Sequence, residues 1–292
     1  MPSIFDRLRT LPQRAQARTS GPLLGKVSDA MAPAAAVAPG RKRAPFCAAG
    51  GRPCVTVCKP TAGCDCQSEA VRAALVREIA ALGLNLEVGT AKTGCGGQCN
   101  SGPFIGFPQQ QLFYVRVQPG DAADIARETL LQGKILFPLL SVSPNRSYRA
   151  DILFERETGM LAAIDDSVCM VEVAKYFLEW EAGLSCGKCV PCRLGMQRLN
   201  ECMERIVGGS GTLEDLEQIK LLCHTMINAS HCEFAMTSSR PVLSAVTYFE
   251  NEFLAHIERQ ECAAGVCEKL VAIQKKKATR ELLKSRKKKK KK

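Results

Sequence analysis

No stretch of this 292-residue chain is apolar for long enough to cross a bilayer, and no secretory hydrophobic segment opens it. The first absence excludes a helical membrane span. The second, beside sixteen clustered cysteines, argues against a disulfide-stapled secreted scaffold and for an intracellular metalloprotein. No Gly-rich phosphate cradle is present, which removes the usual handle for a nucleotide. No paired-carboxylate site and no Ser/His/Asp constellation can be read, so no residue offers itself as base, nucleophile or hydride site.

The body of the chain also lacks a net positive charge, although the whole chain carries +11. Residues 274–292 carry twelve Lys/Arg and one Glu, and residues 1–45 carry eight Lys/Arg and two Asp, so the stretch between them is net acidic. Basic ends on an acidic body read as solvated arms, with self-repulsion keeping Lys287–Lys292 disordered. Neither end interleaves aromatics with its cations, so nucleic acid is not an expected partner.

What is present is thiol in patterned groups. Ser185-Cys-Gly-Lys-Cys-Val-Pro-Cys-Arg193 places Cys186, Cys189 and Cys192 at Cys-x2-Cys-x2-Cys spacing, and Cys232 follows downstream. Three evenly spaced thiols plus a distant fourth suit a cubane [4Fe–4S] cluster, with Gly187 permitting tight turns and Pro191 stiffening the loop. A zinc knuckle is the alternative, but zinc sites usually set one Cys-x2-Cys against a second pair. A second group, Cys58-x5-Cys64 and Cys95-x3-Cys99, falls on loops after two predicted strands. Two converging pairs suit a [2Fe–2S] rhomb, which takes two ligands on each iron; zinc or a thiol-redox pair is the alternative. Cys66 and Cys54 stand close enough to compete. Cys64 is preferred because Cys66 then opens a helix, where a small thiol can simply pack.

Along the chain, residues 1–45 are a flexible basic arm, rich in Ala, Pro, Arg and Ser, with an organelle transit peptide as the alternative. Residues 46–140 read as a small α/β domain: a strand at Val55–Val57, a helix over Ser68–Leu82, a second strand at Leu84–Val88, a hairpin from Phe104–Phe107 and Leu112–Val117, and a helix over Asp121–Leu131. Residues 141–165 are a connector with a short hairpin at Asp151–Phe154 and Met160–Ile164. Residues 166–255 turn helical, with Val171–Trp180, Cys192–Ile206, Leu213–Met226 and Pro241–Glu258 repeating apolar residues at three and four, and Thr212 placed as a cap. Residues 256–273 form a short final strip, and 274–292 a disordered lysine-rich tail.

The runs Thr93-Gly-Cys-Gly-Gly-Gln-Cys-Asn-Ser-Gly-Pro-Phe104, Ser167-Val-Cys-Met-Val-Glu-Val-Ala-Lys-Tyr-Phe177, Ser185–Arg193 and Cys262-Ala-Ala-Gly-Val-Cys267 resemble the flavin-bearing NADH subunit of complex I and, more closely, its counterpart in NAD-linked multimeric hydrogenases and formate dehydrogenases. The resemblance implies an α+β chain: an N-terminal thioredoxin-like [2Fe–2S] ferredoxin domain followed by a helical-bundle [4Fe–4S] domain. The family's middle NADH/FMN domain has no counterpart, since only about 25 residues separate Leu140 from Asp166 against the roughly 100 a nucleotide-binding domain needs. Gly102-Pro-Phe-Ile-Gly-Phe-Pro108 faintly echoes the family's flavin loop but is assigned to the ferredoxin domain. Ala263 replaces the family's proline.

The resemblance also implies a zinc site. His256, Cys262 and Cys267 lie at the matching element, Cys169 is the fourth candidate, and Cys3His is a closed structural zinc set. The plain alternative leaves His256 on a helix surface and Cys169 as a buried thiol. His224, His231, Cys47, Cys54, Cys66, Cys202 and Cys223 are read as ordinary packing or surface residues.

The expected protein is therefore a non-catalytic iron–sulfur relay subunit of a hydrogenase-, formate dehydrogenase- or complex I-like oxidoreductase. It binds [2Fe–2S], [4Fe–4S] and structural zinc without FMN or NAD, pairs with other redox subunits, binds no substrate directly, and resides in the cytoplasm, or in an organelle matrix if the first segment is a transit peptide. The alternatives are an NADH dehydrogenase subunit with an unrecognised flavin site, or a metal-binding regulator contacting nucleic acid through its basic tail.

Overall fold

The Val55–Cys58 run is short, β-branched and apolar, and it forms a strand (β1) buried along its whole length. The computed structural model describes residues 44–47, 53–60, 64–97, 99–141 and 149–289. The basic arm over 1–43, residues 142–148 of the connector and the last three lysines lie outside them. The one polar side chain in β1, Thr56, is satisfied by donating to the Ile164 carbonyl at 2.7 Å.

Helix α1 (Ser68–Ala81) buries Val71, Leu75 and Ile79 on one stripe. The chain then leaves through Gly83 at φ 65°, and β2 runs over Val88–Gly94, parallel to β1. The strand read from sequence at Leu84–Val88 is displaced because Leu84 is spent closing the helix: its N–H bonds to the Ile79 carbonyl and its side chain is buried. β3 (Ile105–Phe107) and β4 (Leu112–Tyr114) form the hairpin. Helix α2 (Ala122–Asp124) runs on as a π-type turn over Ile125–Leu131. Tyr114 anchors that half, its hydroxyl lying 2.9 Å from Thr129 Oγ1 and accepting the Leu136 N–H.

The second half of the connector is no spacer. β5 (Ile152–Phe154) and β6 (Leu161–Ala163) pair with each other, and β6 pairs antiparallel with β2. The result is a six-stranded sheet in the order β4-β3-β1-β2-β6-β5. Alternation along β1 then assigns its two faces. Val55 and Val57 pack with α1 and α2, whereas Cys58 joins the core containing the later helices.

Those helices are α3 (Met170–Leu184), α4 (Val190–Gly208), α5 (Leu213–Ala229), α6 (Glu233–Ser238), α7 (Arg240–Tyr248), α8 (Glu250–Leu254) and α9 (Glu268–Lys289). Gly209 ends α4 in the left-handed conformation, and Thr212 with Asp215 forms a reciprocal capping box at α5. The single helix expected over Pro241–Glu258 breaks at Phe249. There Tyr248 and Phe249 cross the end of β2 so closely that a Cβ on Gly94 would lie 2.5 Å from Tyr248 Cβ. α9 continues to Lys289, through most of the segment expected to be disordered. Lys, Arg, Glu, Ala and Leu are strong helix formers, and the buried Leu270 anchors the start of the helix. Among the described residues, no helix is long and apolar enough to cross a membrane.

Candidate metal centres

Cys169 precedes the first turn of α3, and His256 sits in the π-type segment Ala255–Arg259 that continues α8. Cys262 and Cys267 flank a turn closed by Gly265 at φ 68°. All four are buried, and their ligand atoms lie within 4.8 Å of one another. His256 Nε2 is 3.4 Å from both Cys169 Sγ and Cys267 Sγ, and those two sulfurs are 3.9 Å apart. A tetrahedral zinc with ordinary bond lengths needs edges of about 3.8 Å between sulfurs and about 3.6 Å from nitrogen to sulfur. The donor set fits that ion.

The surroundings orient the ring. His256 Nδ1 donates to the Glu252 carbonyl at 2.7 Å, which turns Nε2 toward the thiols. Glu252 is itself held, accepting the Met170 N–H at 3.0 Å and pairing with Lys92 Nζ at 2.8 Å. Hydrogen bonds from Cys169 and Cys267 hold the Cys262 thiol well below its ordinary range. Burial opposes a charge on His256, but the neighbouring Cys169 and Cys262 sulfurs push it up to about 10.

At the carboxyl ends of the two parallel strands a second group of thiols assembles. Cys58 ends β1 and Cys95 follows β2. Phe104 N–H points at Cys58 Sγ at 3.4 Å, and Gly97 N–H at Cys95 Sγ at 3.2 Å, contacts that favour a thiolate or a bridged sulfur. Burial pushes Cys58 up to about 12, with Cys66, Cys99 and Cys64 adding to the rise. Burial and the adjacent Cys95 likewise push Cys99 up to about 12. Gly102 lies against this loop: a Cβ there would stand 2.6 Å from Cys99 Sγ and 3.9 Å from Cys66 Sγ. Cys66 lies just before α1, its sulfur half-buried and 2.8 Å from Cys64 Sγ.

The third set read from spacing lies at two helix starts and in the loop before one of them. Cys189 is the residue before α4 and Cys192 lies in its first turn, where the 19-residue helix presents its positive end to sulfur. Cys186 is exposed, Cys192 is buried, and Cys232 precedes α6 and is exposed. Gly187 has φ 69°, its N–H donates to Ser185 Oγ, and its carbonyl accepts from Arg193 Nη1 at 2.7 Å. Ser185 Oγ in turn is 3.3 Å from Cys192 Sγ. Pro191 belongs to the first turn of α4, so it starts a helix rather than stiffening a loop.

Other thiols stand apart. Cys47 and Cys54, read as packing residues, are joined as a disulfide that ties Phe46 and its edge-on contact with Phe107 to β1. Cys202 and Cys223 are buried in the helical core, and His224 and His231 are exposed. Lys92 and Glu252 carry no signal in the sequence, because their roles come from contacts across the fold.

Residues 172–256 match the family described as the NADH-ubiquinone oxidoreductase-F iron-sulfur binding region. That span contains Cys186, Cys189, Cys192, Cys232 and His256. The chain is 40% identical over 114 residues to the NADP-reducing hydrogenase subunit HndC of Solidesulfovibrio fructosivorans, covering 39% of this chain and 23% of that protein. It is 37% identical over 102 residues to an NADH-quinone oxidoreductase subunit of Rhizobium meliloti, covering 35% and 24%. A solved NAD+-reducing [NiFe]-hydrogenase in the air-oxidized state aligns at 30% identity and a TM-score of 0.31, over 32% of this chain and 17% of that one. The chain thus resembles these subunits, as its motifs imply, and spans about a quarter of the length of the curated relatives it matches.

Proposed function

We propose that this protein is an iron–sulfur electron-transfer subunit of a multisubunit oxidoreductase, passing electrons between partner redox subunits without a flavin of its own. The observation that carries the reading is the matched iron–sulfur binding region, which includes Cys186, Cys189, Cys192 and Cys232. Bound clusters supply one-electron chemistry; the chain's part is to ligate them, bury them and set their surroundings.

In this reading the helical part holds a [4Fe–4S] cluster on Cys186, Cys189, Cys192 and Cys232. The sheet, with its parallel β1–α1–β2 unit, is a thioredoxin-like domain holding a [2Fe–2S] cluster on Cys58, Cys95, Cys99 and one of the Cys64/Cys66 pair. Phe104 N–H and Gly97 N–H donate to two of those sulfurs. Cys169, His256, Cys262 and Cys267 hold a structural zinc whose closed donor set leaves no position for substrate. The resemblance to subunits named for NADH, NADP and hydrogenase complexes supports redox partners, and the cytoplasm is the proposed location.

Metal and sulfide analysis of the full chain, with EPR during stepwise reduction, tests this. About six iron and about six sulfide per chain, with two distinct signals, are expected. Zinc without iron, or a tightly bound FMN, would replace the reading with a regulator or a flavoenzyme.

A further inference from the structure

The turn between β5 and β6 belongs to none of the three ligand sets, yet it touches the surroundings of two. On one side Glu155 accepts the Asn100 N–H at 2.9 Å and the Ser101 N–H, from the two residues directly after Cys99. Thr158 donates its hydroxyl to the same carboxylate at 2.6 Å, and Asn100 Nδ2 donates to Glu157 at 3.2 Å. Glu157, Thr158 and Met160 help wall a cavity of about 310 Å³ whose other lining residues are Cys95, Gly96 and Cys99.

On the other side Arg156 reaches into the helices. Its guanidinium lies 3.4 Å from Glu181 Oε1 and 3.5 Å from Thr237 Oγ1, and its carbonyl accepts from Arg240 at 3.0 Å. Glu181 lies on α3 five residues before Cys186, and Thr237 lies on α6 five residues after Cys232. Gly159, at φ 71°, closes the turn and abuts Ser244 of α7. Burial opposes the charge on Glu155, but donors from Ser101, Thr158 and Asn100 hold its carboxyl below the usual range. One short turn therefore carries a fixed anion beside the Cys99 loop and a fixed cation between the two segments that flank Cys186 and Cys232.

We propose that residues 155–159 form a positioning and potential-setting element shared by the two cluster sites, Glu155 acting on the Cys95/Cys99 loop and Arg156 on the surroundings of Cys186 and Cys232. The inference rests on the iron–sulfur reading above. Charges and hydrogen bonds near a cluster set its reduction potential, and residues that hold a ligand loop tune the metal as well as seat it.

The test is an EPR-monitored redox titration of the full cluster-loaded chain beside Glu155→Gln, Glu155→Asp and Arg156→Met. Removing the carboxylate charge shifts the [2Fe–2S] midpoint potential upward and leaves the [4Fe–4S] potential in place, with Glu155→Asp returning it toward the parent value. Removing the guanidinium shifts the [4Fe–4S] potential downward and leaves the other. Both potentials unmoved, at unchanged iron content and with only the melting temperature lowered, overturn the inference by showing a merely structural turn. A parent chain with about four iron and a single signal overturns it at the level of the [2Fe–2S] site itself, a separate and recognisable failure.

Discussion

Lys92 Nζ stands 2.8 Å from Glu252 Oε1, an ion pair that fastens β2 to the helix carrying His256. Lys92 also donates to the Val168 carbonyl at 2.6 Å, beside Cys169. The sheet thus holds both the residue whose carbonyl orients the imidazole and the chain next to the buried Cys169 thiol. Both charged side chains are mostly buried, so Lys92→Met leaves a carboxylate short of its partner and destabilises by about 1–3 kcal/mol. Thermal melts of Lys92→Met, Glu252→Gln and the double variant check this. The double variant should lose less than the sum of the singles.

Zinc binding at the Cys169/His256/Cys262/Cys267 set requires a neutral imidazole and ionised thiols, so it releases protons and weakens as pH falls. Competition with a chromophoric chelator across pH should show affinity dropping on acidification. His256→Ala should lower zinc content and the melting temperature together, with iron content retained.

Gly102 has no room for a side chain, because a Cβ would stand 2.6 Å from Cys99 Sγ. Gly102→Ala must push Cys99 out of its place. Iron should drop from about six to about four per chain with loss of one EPR signal, while the signal assigned to Cys186, Cys189, Cys192 and Cys232 persists.

Asp215 closes the capping box of α5 and pairs with Arg205, whose hydrogen bond holds its carboxyl below the ordinary range. A depressed carboxyl contributes stability that is present above its unfolded value and is lost as pH falls through the lower folded one. Melts on acidification should therefore show a larger loss for the parent than for Asp215→Asn over that window. Thr212→Ala, which removes the cap itself, should cost about 1 kcal/mol at neutral pH.

Local pattern carries far in this chain. The spacing of Val71, Leu75 and Ile79 announces α1, Thr212 announces the start of α5, and Cys-x2-Cys-x2-Cys announces a thiol-rich helix entry. These are legible because periodicity and capping act within a few residues. β2 escapes local reading for the same reason: Leu84 is more apolar than Val88-Gly-Thr-Ala-Lys-Thr-Gly94, which is a strand only because β1 and β6 pair with both its edges. The break at Phe249 follows from a contact with Gly94 that no local signal encodes.

The sequence alone determined where α1, α3, α4 and α5 lie and which residues can offer sulfur at metal-ligand spacing, since both are written in residue type and short spacing. Only the tertiary structure decided that the connector completes the sheet, that Cys66 stands beside Cys64, that Cys47 pairs with Cys54, and that Lys92 with Glu252, Glu155 and Arg156 bridge the segments around the clustered thiols. Those facts depend on which distant segments are brought together to bury apolar surface, and a linear pattern holds no record of the pairing until the chain has closed.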